Sequence, residues 1–229
     1  MKVLPLAALA AALALAPPPA PAAQAPVAAG PQAPTPLDRF LSRLHTLRVN
    51  FRQTLVDAHG ALLSRASGTL IVERPGKFRW SIHPLPAAHG ADAAGAGQLM
   101  VADGRNLWFY DRDLAQVTVQ PVSAALSATP AMLLSGTVDV RSHFTERPAG
   151  VRQGLTWVFV APRQASQADF RSALFGFAHG TLKRMILEDT LGQEATIVFE
   201  HVAVNAPVPA ATFDFTPPKG VDVIGTPAR

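Results

Sequence analysis

A mainly β fold, with roughly eleven or twelve antiparallel strands wrapped into a barrel or curved sheet and a few short helices, is the class this sequence predicts. Three observations predict it. Short runs that alternate apolar and polar residues recur along most of the chain, punctuated by Pro-Gly, Asp-Gly and His-Gly turn signals. Helical spacing is confined to brief stretches. Some strand runs carry large apolar groups on both faces, which a sheet wet on one side does not tolerate, so both sides need a cover.

Composition bounds the class further. The 229 residues are 48% hydrophobic and 16% charged, which argues against disorder and suits one domain with a sizeable core. Residues 1–22 are expected to be a secretory signal peptide. Lys2 gives a basic start, Val3 to Ala16 an apolar run too short to span a bilayer comfortably, and Ala20 to Ala23 a small-residue cleavage site. Residues 23–36, rich in proline and alanine, read as a linker, and residues 37–229 as the domain. The chain contains no cysteine, which excludes a disulfide framework, a thiolate metal site and a lipid-modified N-terminus. The mature protein is therefore expected to be soluble. A net charge of +4, from arginines spread along the chain, permits weak attraction to acidic surfaces and gives no sign of nucleic-acid binding.

The elements follow in order. Leu37, Phe40, Leu41, Leu44 and Leu47 recur at helical spacing and predict a helix over 37–47, started by Thr35 or Pro36. The period then becomes two: Val49, Phe51, Gln53 and Leu55 alternate with Asn50, Arg52, Thr54 and Val56 up to a turn at Asp57 to Gly60. In the next strand, over 61–74, Leu70, Val72 and Arg74 share a face. Beyond Pro75-Gly76, Phe78, Trp80 and Ile82 share a face in a strand over 78–83. An arginine thus ends an apolar row. A guanidinium there must find acceptors or stay wet, which suits the rim of an apolar hollow. Residues 84–97 read as a loop, and 98–102 with 106–110 as a hairpin about Asp103-Gly104, joined by a strand over 114–120. Short helices are expected over 123–126 and 129–134, the second with Thr129 as cap and Pro130 in its first turn. Further strands are expected over 138–144, 155–161, 170–177, 181–189, 194–204, 212–215 and 221–224.

Catalytic signatures are missing. The seven histidines, His83 and His89 among them, form no pair at helical zinc spacing, and there is no GxSxG elbow, phosphate loop or dinucleotide fingerprint. Asp111 with Asp113, and Glu188 with Asp189, read as solvated turns rather than carboxylate pairs. Neither an enzyme nor a cofactor nor a metal site is expected. The informative groups are apolar: Leu107, Trp108, Phe109 and Tyr110 load both faces of one strand, so the helix over 37–47 would cover one face and a barrel interior the other. Such groups either fill an ordinary core or line a cavity. A barrel of this size has more interior than its own side chains readily fill, which favours a cavity plugged by short helices.

Five motifs occur in one order: Phe51-Arg-Gln53-Thr54, the ERPGKFRW run ending at Trp80, VADGRNLWFY from Val101 to Tyr110, Thr129-Pro130-Ala-Met-Leu-Leu134, and FDFTPPKGVDV from Phe213 to Val223. Together they resemble the LolA family of periplasmic outer-membrane lipoprotein carriers, from about Leu37 to the end of the chain. The 84–97 segment and the proline-rich arm depart from the family's compact pattern. The resemblance implies an unclosed antiparallel β-barrel with a helical lid over an apolar cavity. It implies a periplasmic monomer that takes triacylated lipoproteins from the inner-membrane Lol ABC transporter and passes them to the outer-membrane receptor LolB. It further implies that Arg74 latches the lid and that Phe78, at the mouth, docks the transporter. Candidates for the acyl-chain cavity are Leu44, Phe51, Leu70, Val72, Trp80, Ile82, Leu107, Phe109, Met132 and Leu133. An alternative keeps the fold and makes the chain an envelope sensor of lipids or lipoproteins, which would need a second domain for signalling. The family's receptor branch lacks its acceptor cysteine here, and a lipid enzyme lacks a nucleophile with its base.

Overall fold

The computed structural model describes residues 33–86, 97–122, 130–136, 140–164 and 170–228. The expected signal peptide, most of the linker, the helix over 123–126 and the Thr129 cap lie outside the described residues. From Pro34 onward the chain forms one unit.

Helix α1 (Pro36–Leu41) begins with a reciprocal cap. The Thr35 hydroxyl accepts the Asp38 N–H, the Asp38 carboxylate accepts the Thr35 N–H, and Pro36 occupies a first position where its missing N–H costs nothing. Thr35 and Pro36 thus belong to the domain rather than to the linker. The helix ends at Leu41, not Leu47. The correction has a physical cause: Leu47 already belongs to strand β1 (Thr46–Val56), where it pairs with Val72 on one side and Val204 on the other. Pairing on both sides overrides a short helical spacing.

After β1 come β2 (Leu62–Glu73), β3 (Lys77–Pro84), β4 (Gln98–Asp103), β5 (Asn106–Asp111) and β6 (Gln116–Pro121). Helices α2 (Pro130–Ser135) and α3 (Val140–His143) follow. The chain continues through β7 (Phe144–Arg152), β8 (Leu155–Pro162), β9 (Phe170–Ala178), β10 (Thr181–Asp189), β11 (Glu194–Val204) and β12 (Asp222–Ile224). The spatial order is β12-β6-β5-β4-β3-β2-β1-β11-β10-β9-β8-β7. Among the described residues this is a single twelve-stranded sheet that does not close, as the resemblance implied. All neighbours are antiparallel except β12, which runs parallel to β6 with Val223 opposite Val117. Inner residues from both halves of the sheet share one buried apolar cluster with the helices, so the sheet wraps around them.

Two further expectations are corrected. The strand placed over 138–144 is instead α3 across 140–143, and the strand proper is β7, which the sequence concealed. β7 is an edge strand, mostly exposed, with Pro148 beside a bulge, so it has no apolar alternation to read. The strand placed over 212–215 is a 3-10 turn, Ala210–Phe213, followed by irregular chain. Prolines at 209, 217 and 218 withhold ladder donors on either side. Its aromatics still pack: Phe213 is buried, and the Phe215 ring lies 5.6 Å from that of Trp108 and 6.2 Å from that of Tyr110. The outer face of β5 is therefore covered by the C-terminal segment, whereas the sequence pointed to the 37–47 helix. Arg79 donates to the Thr212 carbonyl at 3.4 Å, and Asn106 clamps Ala228, accepting its N–H at 2.7 Å. The β4–β5 turn is held by Asp103, whose Oδ1 accepts the N–H groups of Arg105 and Asn106 while Oδ2 accepts the Trp108 indole. Burial pushes the Asp103 carboxyl up, but the bonds from Asn106, Trp108 and Arg105 outweigh burial and leave it lowered.

Gly68 shows how tightly the wrap is packed. A Cβ at this position would lie 1.9 Å from the Ser81 carbonyl oxygen and 2.7 Å from the Phe51 ring, which meets Trp80 edge-on at 5.9 Å. Gly68→Ala is therefore expected to lower stability by about 1–3 kcal/mol, read as a lower urea midpoint with an unchanged slope. An unchanged midpoint would show that β3 and Phe51 yield freely.

Candidate functional site

The inner rows of the sheet set the site. Cross-strand register aligns Leu70 of β2 with Trp80 of β3 and Met100 of β4, and beside them Val72, Phe78, Ala102 and Leu107 of β5. From the other half come Val158 and Val160 of β8, Phe175 and Phe177 of β9, Met185 of β10, and Ile197 and Phe199 of β11. Into this concave surface the two helices insert Leu37, Phe40 and Leu41 from α1, and Ala131, Met132, Leu133 and Leu134 from α2. α1 rests on β8 and, through a Phe40–Phe177 ring contact at 5.6 Å, on β9; α2 rests on β2 and β3. A helix buried on every side, as α2 is from Ala131 to Ser135, is one enclosed by other elements.

The knot that holds the helices in place surrounds Arg74. Its Nη1 donates to the Leu41 carbonyl, the last of α1, at 2.8 Å. The Nη2–Nε edge of the guanidinium lies against Gly136, just past α2, where a Cβ would fall 2.6 Å from Nη2 and 2.7 Å from Nε. Gly136 has φ +71°, the left-handed conformation that ends a helix and that glycine adopts without strain. Backbone bonds complete the knot: Arg74 N–H donates to the His45 carbonyl at 2.8 Å, and Gly76 N–H to the Ser135 carbonyl at 2.9 Å. Burial lowers the Arg74 guanidinium from its ordinary value. A cation at the carbonyl end of a helix is favoured by the helix dipole, and a guanidinium is weakly enough hydrated to sit there half-buried.

Of the residues proposed to line a cavity, Phe51, Leu70, Val72, Trp80, Leu107, Met132 and Leu133 lie in the single buried cluster. Leu44 lies there too, in the turn after α1 rather than within a helix. Ile82 is partly buried against the cluster. Phe109 shares the Leu107 face but is half-buried and stands outside the cluster, paired with Met100 and Thr118. Phe78 requires correction. Expected at the mouth as a docking residue, it is 0% exposed, fixed between Val72 and Ala102 in the sheet register, and so forms part of the interior.

Sequence reasoning missed Gly136, the Leu41 carbonyl and the Phe40–Phe177 contact. A glycine following an apolar helical run was the available signal for Gly136; a backbone carbonyl leaves none. Beside α1 a cleft of about 580 Å³ opens between Arg39, Phe40 and Arg43 and the β9–β10 end at Phe177, His179 and Thr181. Two of its lining residues, Phe40 and Phe177, belong to the buried cluster, so the cleft borders the apolar interior. Among the described residues, no group of three His, Asp or Glu side chains is placed to hold a metal.

Comparison with known proteins places this geometry. The family described as "Outer membrane lipoprotein carrier protein LolA" matches residues 42–216. Proteins named outer-membrane lipoprotein carrier protein are similar to this chain over most of both lengths. The one from Dechloromonas aromatica is 40% identical, with 82% of this chain and 86% of the relative covered. The one from Chromobacterium violaceum is 38% identical, with 87% and 94% covered. Among solved structures, an uncharacterized conserved protein from Thermus thermophilus has a similar fold, with a TM-score of 0.50 at 14% identity, over 82% of this chain and 96% of that one.

The interior position of Phe78 is open to direct test. Phe78→Glu would bury a carboxylate among apolar groups and is expected to cost about 3 kcal/mol or more of folding stability. Thermal unfolding checks this, and an unchanged melting temperature would return Phe78 to the surface.

Proposed function

Because this chain belongs to the LolA family of outer-membrane lipoprotein carriers, we propose that it takes lipoproteins released by the inner-membrane Lol ABC transporter, shields their acyl chains across the periplasm and delivers them to the outer-membrane receptor LolB. It is a lipoprotein carrier, and so a protein of the cell envelope; it works as a monomer on triacylated cargo. The observation that carries this reading is the continuous apolar interior, covered by two short helices whose ends meet at one arginine.

The physical need is large. Each methylene withdrawn from a lipid phase and left in water forfeits about 0.8 kcal/mol, so a group with three long acyl chains cannot cross an aqueous space unshielded. The carrier replaces that burial with its own inner wall. The α1 and α2 side chains pack against this wall, so uptake exchanges one apolar partner for another. Such an exchange nearly cancels in hydrophobic terms, and a few polar interactions at the helix ends decide its direction. Arg74 favours the closed, unloaded form: a hydrogen bond from a charged donor contributes about 1.5–3 kcal/mol. Cargo must displace that bond to bind, and its re-formation promotes release.

Arg74→Leu removes the bond while keeping an apolar stem. The variant is expected to fold, to bind lipoprotein at least about ten-fold more tightly and to pass it to receptor-bearing vesicles correspondingly more slowly. Transfer of labelled lipoprotein from purified carrier measures this; transfer at the wild-type rate would remove the latch role.

A further inference from the structure

The chain has three tryptophans, and two of them use their indole N–H. Trp108 donates to Asp103 Oδ2 at 2.9 Å, and Trp157 to the Arg152 carbonyl at 3.2 Å. Trp80 differs. It is 5% exposed, and among the described residues no acceptor lies within hydrogen-bond distance of its Nε1. Its surroundings account for this: the Phe51 ring meets it edge-on, Leu70 and Met100 flank it in register, and its strand's backbone groups are engaged with β2 and β4. A buried donor without an acceptor is costly, and a phenylalanine would offer a similar apolar surface without that cost.

Resting on the carrier reading above, we propose that the Trp80 indole N–H recognises the ester carbonyl of a glycerol-linked acyl chain when that chain occupies the interior. The chemistry fits the site. An acyl chain is apolar along its length and carries, at one end, an acceptor that brings no donor of its own. In a wall otherwise made of Phe51, Leu70, Val72 and Met100, one donor fixes how deep the carbonyl sits and leaves the methylenes free to pack without register. The site thereby distinguishes an ester-linked chain from an ether-linked one of equal length. A single neutral hydrogen bond is also weak enough to be lost at release. The same carbonyl occurs in the diacylglyceryl group of a lipoprotein and in a diester phospholipid.

The test titrates intact wild-type protein and the Trp80→Phe variant with a synthetic diacylglyceryl-cysteine lipopeptide, its dialkyl-ether counterpart of equal chain length, and a diester phospholipid. Wild type is expected to bind the diester lipopeptide about five- to ten-fold more tightly than the diether, and Trp80→Phe to bring the two affinities together. Phospholipid binding with the same dependence on Trp80 supports recognition of the ester from either source, and its absence assigns the donor to the lipoprotein group. Equal affinities in wild type, or an ester preference that survives in Trp80→Phe, would overturn the proposal while leaving carriage intact. Failure of wild type to bind either lipopeptide would overturn carriage and the proposal together. Should the variant misfold, the indole N–H resonances of 15N-labelled wild type decide. The Trp80 signal is expected to move downfield with the diester and not with the diether, with Trp108 and Trp157 as internal references, and identical shifts for both ligands would overturn the assignment.

Discussion

The contact between the Arg74 guanidinium and the last carbonyl of α1 is the point on which the rest of the molecule turns. Three pieces of chain distant in sequence end there: the β2–β3 turn, the C-terminus of α1 and the C-terminus of α2. Each contributes something another residue type would spoil. A side chain at Gly136 would displace the guanidinium. The Ser135 carbonyl needs the Gly76 N–H, and the Leu41 carbonyl takes a charged donor where a helix end favours positive charge. A lysine would offer a more strongly hydrated point charge without the planar fork whose Nη2–Nε edge lies against Gly136.

Under the proposed carrier function, the knot controls a choice between two occupants of one apolar wall. Leu37, Phe40, Leu41, Met132 and Leu133 from the helices occupy that wall, and on the proposed reading acyl chains take their place in a loaded form. Because both are apolar, burial contributes to each form on a similar scale, and the balance lies within the reach of a single hydrogen bond. A carrier needs this balance. A permanently open cavity would hold acyl chains too firmly to deliver them, and a core sealed like that of an ordinary domain would admit none. The cleft beside α1, lined in part by Phe40 and Phe177, lies between that helix and the β9–β10 end of the sheet.

Much of this was legible in the sequence where local periodicity and tertiary structure agree. Leu70, Val72, Phe78 and Trp80 fall on one face by alternation alone, and the same count placed Arg74 at the end of the row, where the structure has it. Thr35 and Pro36 announced the start of α1 by capping chemistry. The failures lie where two signals overlap or where tertiary contact decides. Leu41, Leu44 and Leu47 continue a helical spacing into a strand because Leu47 also begins the row Leu47, Val49, Phe51. Phe213 and Phe215 alternate like a strand, but the prolines around them and the rings of Trp108 and Tyr110 make them a cover instead. Edge strand β7 fully buries only Phe144, at its start, and so left no alternation to read. Phe78 was assigned to the mouth by resemblance, whereas its alternation with Trp80 already placed it on the inner row.

The central claim is that loading moves α1 away from the sheet. The chain contains no cysteine, so nitroxide labels can be attached at two introduced ones, in place of Arg39 on α1 and Thr69 on β2, both exposed. Pulsed electron resonance then gives the distance between them in empty protein and in protein saturated with a lipopeptide. The account predicts a short, narrow distance distribution when empty and a longer, broader one when loaded; superimposable distributions in fully loaded protein would contradict it.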